Sequence, residues 1–358
     1  MNLLALRLQN QHITGAPLEK AEDAVRWLGA VQSQDYPGAK WSLGQRVRNA
    51  TDPAIDAAFS SGTILRTHVL RPTWHFVTPA DIRWMLQLTA PHVHALNAFY
   101  YRKLELDDAL FRRSHKLFAK VLQSGTQLTR KELADILSKN GIVADKLRLA
   151  YIMMRAELDG LVCSGALRGK EQTYALLDER APNATVLSRE EALSELALRF
   201  FTSHAPVTVK HFAWWSGLSM SDAKIGCELN KNQLTSEVIN GQTFWFSERV
   251  PVRRTATPLT TYLIPEYDEA LIGSKDLGVI DLPRARESKP WNDVWYRPVI
   301  VAGRRAGTWR RTIAKGSVVI ETNLFASLNR SQAATLKTAV DRYGQFLQMP
   351  ARLAKDPR

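Results

Sequence analysis

Cysteine is nearly absent: the 358 residues contain two, Cys163 and Cys227, both in apolar contexts and far too separated for a C-x-x-C pair. That usage argues against a disulfide framework and against a thiolate zinc site. Histidine offers no alternative, because His92 and His94 lack the i, i+4 spacing of a helical metal pair. No metal and no cofactor is expected. Long hydrophobic runs are missing too. Residues 1–8 form an apolar stretch too short for a signal peptide and without a small-residue cleavage site, and no later segment is long enough to span a bilayer. No aromatic-rich RNP sequence occurs, which disfavours an RNA-binding module. Acidic residues are in deficit, 35 Asp and Glu against 48 Lys and Arg, leaving a net charge of +13. Because the arginines are spread through the chain rather than gathered in a tail, the excess points to a polyanionic partner, with nucleic acid ahead of a membrane surface. The expected setting is the cytoplasm, at the nucleoid.

What is present is enough apolar sequence, 45% of residues, to fill more than one core. The pattern predicts an α+β protein with tandem winged helix-turn-helix motifs and a C-terminal β-barrel or sheet. Four segments are expected. Residues 1–80 read helix, helix, turn, helix, strand pair, with Asp52 capping a helix that has Pro53 in its first turn and Ser60-Ser61-Gly62 at its end. Residues 81–187 hold a helical linker and a second unit, in which Thr129 and Glu132 have capping-box spacing and 146–158 is the partner helix. Residues 188–254 form a third unit whose hairpin turns at Asn240-Gly241. From 255 the texture changes to short β-branched runs at 299–301 and 317–321, closed by a helix over 331–348.

The most informative stretch is Gln32-Ser33-Gln34, followed by Asp35 and Tyr36-Pro37-Gly38. Residues 18–31 place Ala21, Ala24, Val25 and Leu28 at helical spacing, so the glutamines are expected at the far end of an amphipathic helix. Positions i and i+2 do not share a helix face. If both amides address one ligand, the chain must leave helical geometry at about Gln34, with Pro37 pushing Tyr36 toward extended dihedrals. A solvated helix end is the blander reading. A second block, residues 65–77, carries Arg66, His68, Arg71 and His75 in what reads as the first wing. These four are candidates for DNA phosphate contacts, or else buried groups bonding backbone carbonyls.

Together these blocks, with residues 262–273 and 307–311, resemble the AlkZ/YcaQ family of winged-helix DNA glycosylases, bacterial proteins that excise alkylated and crosslinked bases. The family signature is glutamine, an apolar residue, then glutamine or aspartate. Gln32 and Gln34 match its polar positions, while Ser33 departs from its apolar one. The resemblance implies a monofunctional glycosylase that hydrolyses the N-glycosidic bond of bulky or crosslinked N7- or N3-alkylpurines, with Gln32 and Gln34 catalytic, acting as a monomer on damaged double-stranded DNA. Neutral amides suit that chemistry. An alkylpurine carries positive charge and leaves neutral, so no strong acid is needed, only a placed water and a stabilised oxocarbenium-like sugar. On this reading Ser33→Leu, which restores the apolar residue usual in the family, is expected to keep or raise activity if Ser33 is merely a tolerated departure. The alternative is a non-catalytic winged-helix DNA-binding protein or transcriptional regulator. Asp35 reads as a turn cap, or as a general base. Arg310 and Arg311, with Arg304 and Arg305, bracket a glycine and are further phosphate-contact candidates, or a solvated hairpin. Trp214-Trp215 and the Trp291 and Trp295 pair read as core in preference to base-stacking platforms.

Overall fold

The computed structural model describes residues 2–247, 260–273, 297–314 and 316–354, which leaves Trp291 and Trp295 outside the described residues. Helix α1 (Leu3–Asn10) is followed by α2 (Ala21–Leu28), which buries Ala21, Ala24, Val25 and Leu28 as the spacing predicts. It is shorter than expected. Gly29, at φ +81°, stops the helix, and a Cβ there would lie only 3.4 Å from the Trp215 ring. Glycine permits both the left-handed turn and the close approach. The chain beyond it is strand β1 (Val31–Gln32), so Gln32 stands on extended backbone and Gln34 in the bend that follows, neither at the end of that helix. Tyr36 is not extended either. It opens α3 (Tyr36–Gly44), with Asp35 at the N-cap position and Pro37 in the first turn, where the missing N–H costs no helical bond.

Helix α4 (Asp52–Ser61) has Pro53 in its first turn and ends at Gly62, as expected, but its cap is Thr51, whose side chain accepts from Ala54 N at 3.3 Å. Strands β2 (Leu65–His68) and β3 (Trp74–Val77) pair antiparallel, and β1 adds to β3 on its free side. The register places Gln32 opposite His75 and His75 opposite Thr67. Because side chains alternate across a strand, Gln32, His75 and Thr67 form a row on one face. Ser33, Trp74 and His68 lie on the other.

Helices α5 (Ile82–Lys103) and α6 (Asp108–Val121) lead into β4 (Leu128–Thr129), α7 (Arg130–Lys139) and α8 (Lys146–Leu158). The capping box of Thr129 and Glu132 is formed, at 2.7 and 3.2 Å. Strands β5 (Val162–Arg168) and β6 (Glu171–Leu176) complete a sheet in the order β4-β6-β5, and the short α9 (Leu177–Arg180) follows. Next come α10 (Arg189–Ser203), α11 (Val209–Ser216), α12 (Met220–Leu229) and the hairpin of β7 (Leu234–Ile239) and β8 (Gln242–Ser247). Asn240 and Gly241 both have positive φ, the dihedral sign that a two-residue type I′ turn requires. The C-terminal sheet has the order β13-β12-β11-β10-β9, built from β9 (Thr261–Leu263), β10 (Pro298–Val301), β11 (Arg304–Ala314), β12 (Ser317–Leu324) and, after α13 (Arg330–Leu347), β13 (Ala351–Leu353). The structure is a mixed α+β fold. No helix among the described residues is long and apolar enough to cross a membrane.

The N-terminal helices share a core with the C-terminal sheet. Val25, Leu28, Trp41 and Phe59 pack in one cluster with Leu263, Val299, Trp309, Val340 and Tyr343. Trp41 and Trp309 donate through their indole N–H groups to the carbonyls of Leu263 and Ile264, at 2.7 and 2.8 Å. At the seam Arg46 grips Asp268 with two hydrogen bonds, of 2.7 and 3.0 Å, and both side chains are fully buried. Burial pushes the Asp268 carboxyl up, but Arg46 and the Ala270 N–H outweigh it and hold the group below its ordinary value. Asp268→Ala strands a buried guanidinium and is expected to cost about 3–5 kcal/mol in urea unfolding. A change under about 0.5 kcal/mol, the range of ordinary surface substitutions, would show that the pair does not hold the two ends of the chain together.

Candidate active site

Gln32 is fixed at both its backbone and its side chain. Its backbone N–H donates to Glu269 Oε1 at 2.8 Å, and the other carboxyl oxygen of Glu269 receives Trp215 Nε1 at 2.8 Å and meets His204 Nε2 at 3.2 Å. Glu269 has no exposed surface. The side-chain oxygen of Gln32 accepts from Arg71 Nη2 at 2.9 Å. Since arginine can only donate, this contact settles which end of the Gln32 amide is which. The NH2 group and one lone pair of the oxygen remain for other partners.

Arg71 is the hub of this face. Its guanidinium also donates to the Trp215 carbonyl and, at 3.4 Å, to that of Trp214, and it lies 4.7 Å from the centre of the Trp214 ring. Helix α11 can come this close because position 217 is glycine. A Cβ there would stand 2.1 Å from the Leu70 carbonyl oxygen. Burial brings the Arg71 pKa down to about 10 while the charge of Glu269 opposes the drop, so the guanidinium stays protonated at neutral pH. His75, 0% exposed, lies 3.4 Å from Arg71 Nη2 through Nε2 and 3.0 Å from the Thr73 carbonyl through Nδ1. Burial first, then the Arg71 charge, push its pKa well below 6.5. The ring is therefore neutral, with Nδ1 donating to Thr73 and Nε2 accepting from Arg71.

Gln34 is exposed, and its side-chain oxygen faces the Trp74 N–H at 3.4 Å. Ser33, between the two glutamines, is fully buried on the opposite face; its carbonyl accepts from Arg66 Nη2 at 3.0 Å, and its hydroxyl is 3.3 Å from Arg66 Nε. Arg66 stacks over Trp74 at 4.3 Å and reaches Gln172, while His68 is bonded to the buried Glu157, which also accepts from Trp74 Nε1 at 3.2 Å. Of the four wing candidates, the structure brings Arg71 and His75 to Gln32. It places Arg66, 8% exposed, and His68, 4% exposed, in the polar interior behind the sheet. There they bond carbonyl, amide and carboxyl groups, which is the buried alternative. A phosphate would have to displace those partners.

Arg310 and Arg311 lie on opposite faces of β11 and do not flank a turn, since Gly307 is within the strand. Arg310 is ion-paired with Glu321 at 2.7 Å, and Arg311 turns inward to the Tyr343 hydroxyl. Asp35 occupies the N-cap position of α3 without making a capping hydrogen bond, and its carboxyl is 3.6 Å from Arg297. Among the described residues no group of three or more His, Cys, Asp or Glu is placed to hold a metal. A concavity of about 590 Å³ beside α10 is lined by Asp81, Trp84, Glu191 and Arg199 and includes neither glutamine. The geometry around Gln32, not the size of that cleft, marks the candidate site.

A family model described as DNA glycosylase AlkZ-like matches residues 25–346, a span that contains both glutamines, the 65–77 block, Glu269 and Arg310. The chain belongs to the AlkZ-like DNA glycosylase family. It is 24% identical over 322 residues to an interstrand DNA cross-link repair glycosylase of Streptomyces sahachiroi, covering 86% of each chain. The solved structure of Streptomyces sahachiroi DNA glycosylase AlkZ superposes with a TM-score of 0.80 at 20% identity, covering 99% of this chain and 98% of that one. That likeness carries the fold. Membership of an AlkZ-like glycosylase family selects an enzyme acting on DNA over a non-catalytic regulator.

Sequence reasoning assigned no role to Glu269, although it lies in the 262–273 block, and grouped Trp214 with the core. Alternating burial within Trp214-Trp215 has no local signature on an eight-residue helix; only the docking of α11 decides it. The buried environment of Ser33 also bears on stability. Ser33→Leu would have to displace Arg66, so this AlkZ-like chain is predicted to lose roughly 1–3 kcal/mol of stability through overpacking. Unchanged chemical denaturation would show that the Arg66 pocket yields freely. A second prediction concerns pH. Burial lowers His75, His204 and His115 below 6.5. The unfolded chain takes up protons there as pH falls through about 6.5 while the folded chain does not, so stability is full above that pH and lost below it. Unfolding free energy is expected to fall between about pH 6.5 and 5.5, by up to ~1.4 kcal/mol per unit for each histidine. A flat profile would mean that these imidazoles take up protons in the folded protein over the same range as in the unfolded chain.

Proposed function

We propose that the chain hydrolyses the N-glycosidic bond of bulky or crosslinked N7- or N3-alkylated purines in double-stranded DNA, with Gln32 and Gln34 as the catalytic pair. The observation that carries this reading is the pair of accessible amides on either side of the fully buried Ser33: Gln32, half-buried at the end of β1 with its side chain held by Arg71, and Gln34, exposed in the bend that follows. The pair is read as addressing one ligand. Gln32, held by Glu269 and Arg71, offers a lone pair to a water and its NH2 to the nucleotide, and Gln34 supplies a second amide at the rim. The leaving base carries its own positive charge, so a neutral His75 and two amides suffice without a strong acid.

Arg71 and His75 act in this scheme as supports of Gln32, Arg66 and His68 as supports of the strand behind it, and the exposed Arg310 as a contact to phosphate that exchanges Glu321 for DNA. The helix pairs and hairpins over 1–80, 81–187 and 188–254 are read as winged-helix units that bring the duplex to the β1 face, with the segment from 255 onward as the fourth part. The relative from Streptomyces sahachiroi, named as a cross-link repair glycosylase, favours a crosslinked substrate, and the chain is read as working on it as a monomer.

Gln32→Ala and Gln34→Ala are each expected to slow single-turnover release of 7-methylguanine by at least about 100-fold, as loss of a preorganised transition-state contact does. Affinity for undamaged duplex, set by phosphate contacts, should stay within about twofold. Full excision by both variants would dismiss the glutamines, and no release by the unmodified protein from alkylated or crosslinked DNA would dismiss the substrate class.

A further inference from the structure

Trp214 and Trp215 are neighbours on α11 and point to opposite sides. Trp215 is fully buried with its N–H on Glu269, whereas Trp214 is 59% exposed. An indole left in solvent is a large apolar surface with nothing to gain from water. Apart from Arg71 on one face, at 4.7 Å, no aromatic or cationic group among the described residues stacks on the Trp214 ring. The same guanidinium holds the Gln32 side chain at 2.9 Å. One rigid planar group therefore links the open indole to the catalytic amide.

The geometry points to Trp214 as the surface on which the purine of the lesion nucleotide stacks once it leaves the helix. The inference rests on the glycosylase reading and adds a specificity-determining contact to it. A base attacked at its glycosidic bond must be drawn out of the stack, and the lost stacking has to be replaced by the protein. The free face of Trp214 is the flat apolar group beside Gln32 that does this, and a cationic alkylpurine gains further from the negative face of the indole. Arg71 fixes the plane of the ring from the other side, so the purine and Gln32 are aligned through one side chain. Nothing in the contact reads hydrogen-bond edges, which fits a site that accepts more than one alkylated purine.

Trp214→Ala, Trp214→Leu and Trp214→Phe separate stacking from packing. Base–aromatic stacking lost on alanine substitution corresponds to roughly a 5- to 150-fold effect. Trp214→Ala should slow single-turnover release of 7-methylguanine by that factor, and Trp214→Leu, which still covers Arg71 but has no π face, should be similarly slow. Trp214→Phe should remain within about threefold of the unmodified protein, since it restores an aromatic face. Melting temperature should be unchanged in all three, and so should affinity for a duplex carrying an abasic site, where no purine remains to stack. Excision by Trp214→Ala at the original rate, Trp214→Leu as active as Trp214→Phe, or an equal loss of affinity for the abasic duplex would each overturn the assignment. Absence of base release by the unmodified protein is a different outcome and strikes the glycosylase reading instead.

Discussion

The candidate site depends on one buried carboxyl group. Glu269 has no exposed surface, yet it meets the N–H groups of Gln32, Trp215 and His204 and lies within electrostatic reach of the buried Arg7 and Arg71. A buried acid is tolerated only when its lone pairs and charge are answered, and here the answering groups come from α1, β1, the β2–β3 connection, the C-cap of α10 and α11. Its neighbour Asp268 is held in the same way by Arg46. The segment from the C-terminal part of the chain thus serves as the anchor for the strand near the N-terminus that carries Gln32. Each half of the site is incomplete without the other.

From that anchor the layout of the candidate site follows. Once Gly29 ends α2 and the chain extends, Gln32 closes β1 half-buried, Ser33 turns inward and Gln34 is exposed in the bend that follows. Arg71 then orients the Gln32 amide, and His75 stays neutral because burial and the Arg71 charge both disfavour its protonated form. A site built from two amides, one neutral imidazole and one guanidinium has little acid to offer. It matches a substrate whose base is already activated by alkylation.

Local signals were legible in the sequence, and long-range ones were not. The Thr129–Glu132 capping box, the Asn240-Gly241 turn, the helix over 146–158 and the apolar positions of α2 all appear where spacing predicts them, because each is decided within a few residues. The glutamine pair was also visible, through the resemblance of its motif to a known family. Its backbone was misjudged: a helix was expected through residue 31, and only the docking of Trp215 against Gly29 reveals why the chain turns. Burial of Arg66 and His68 depends on Ser33 and Glu157, partners 33 and 89 positions away. Glu269 is 237 positions from Gln32. No periodicity in a single sequence encodes such pairings.

The central claim is that Glu269 places Gln32 for catalysis rather than merely filling the interior. A double-mutant cycle of Glu269→Gln and Gln32→Ala, read in the single-turnover rate of 7-methylguanine release, tests it most directly. If Glu269 acts through Gln32, Glu269→Gln slows excision in the unmodified background and has much less effect once the Gln32 amide is gone, at unchanged affinity for duplex DNA. Equal losses in both backgrounds would show that Glu269 contributes independently of Gln32 and would contradict the account.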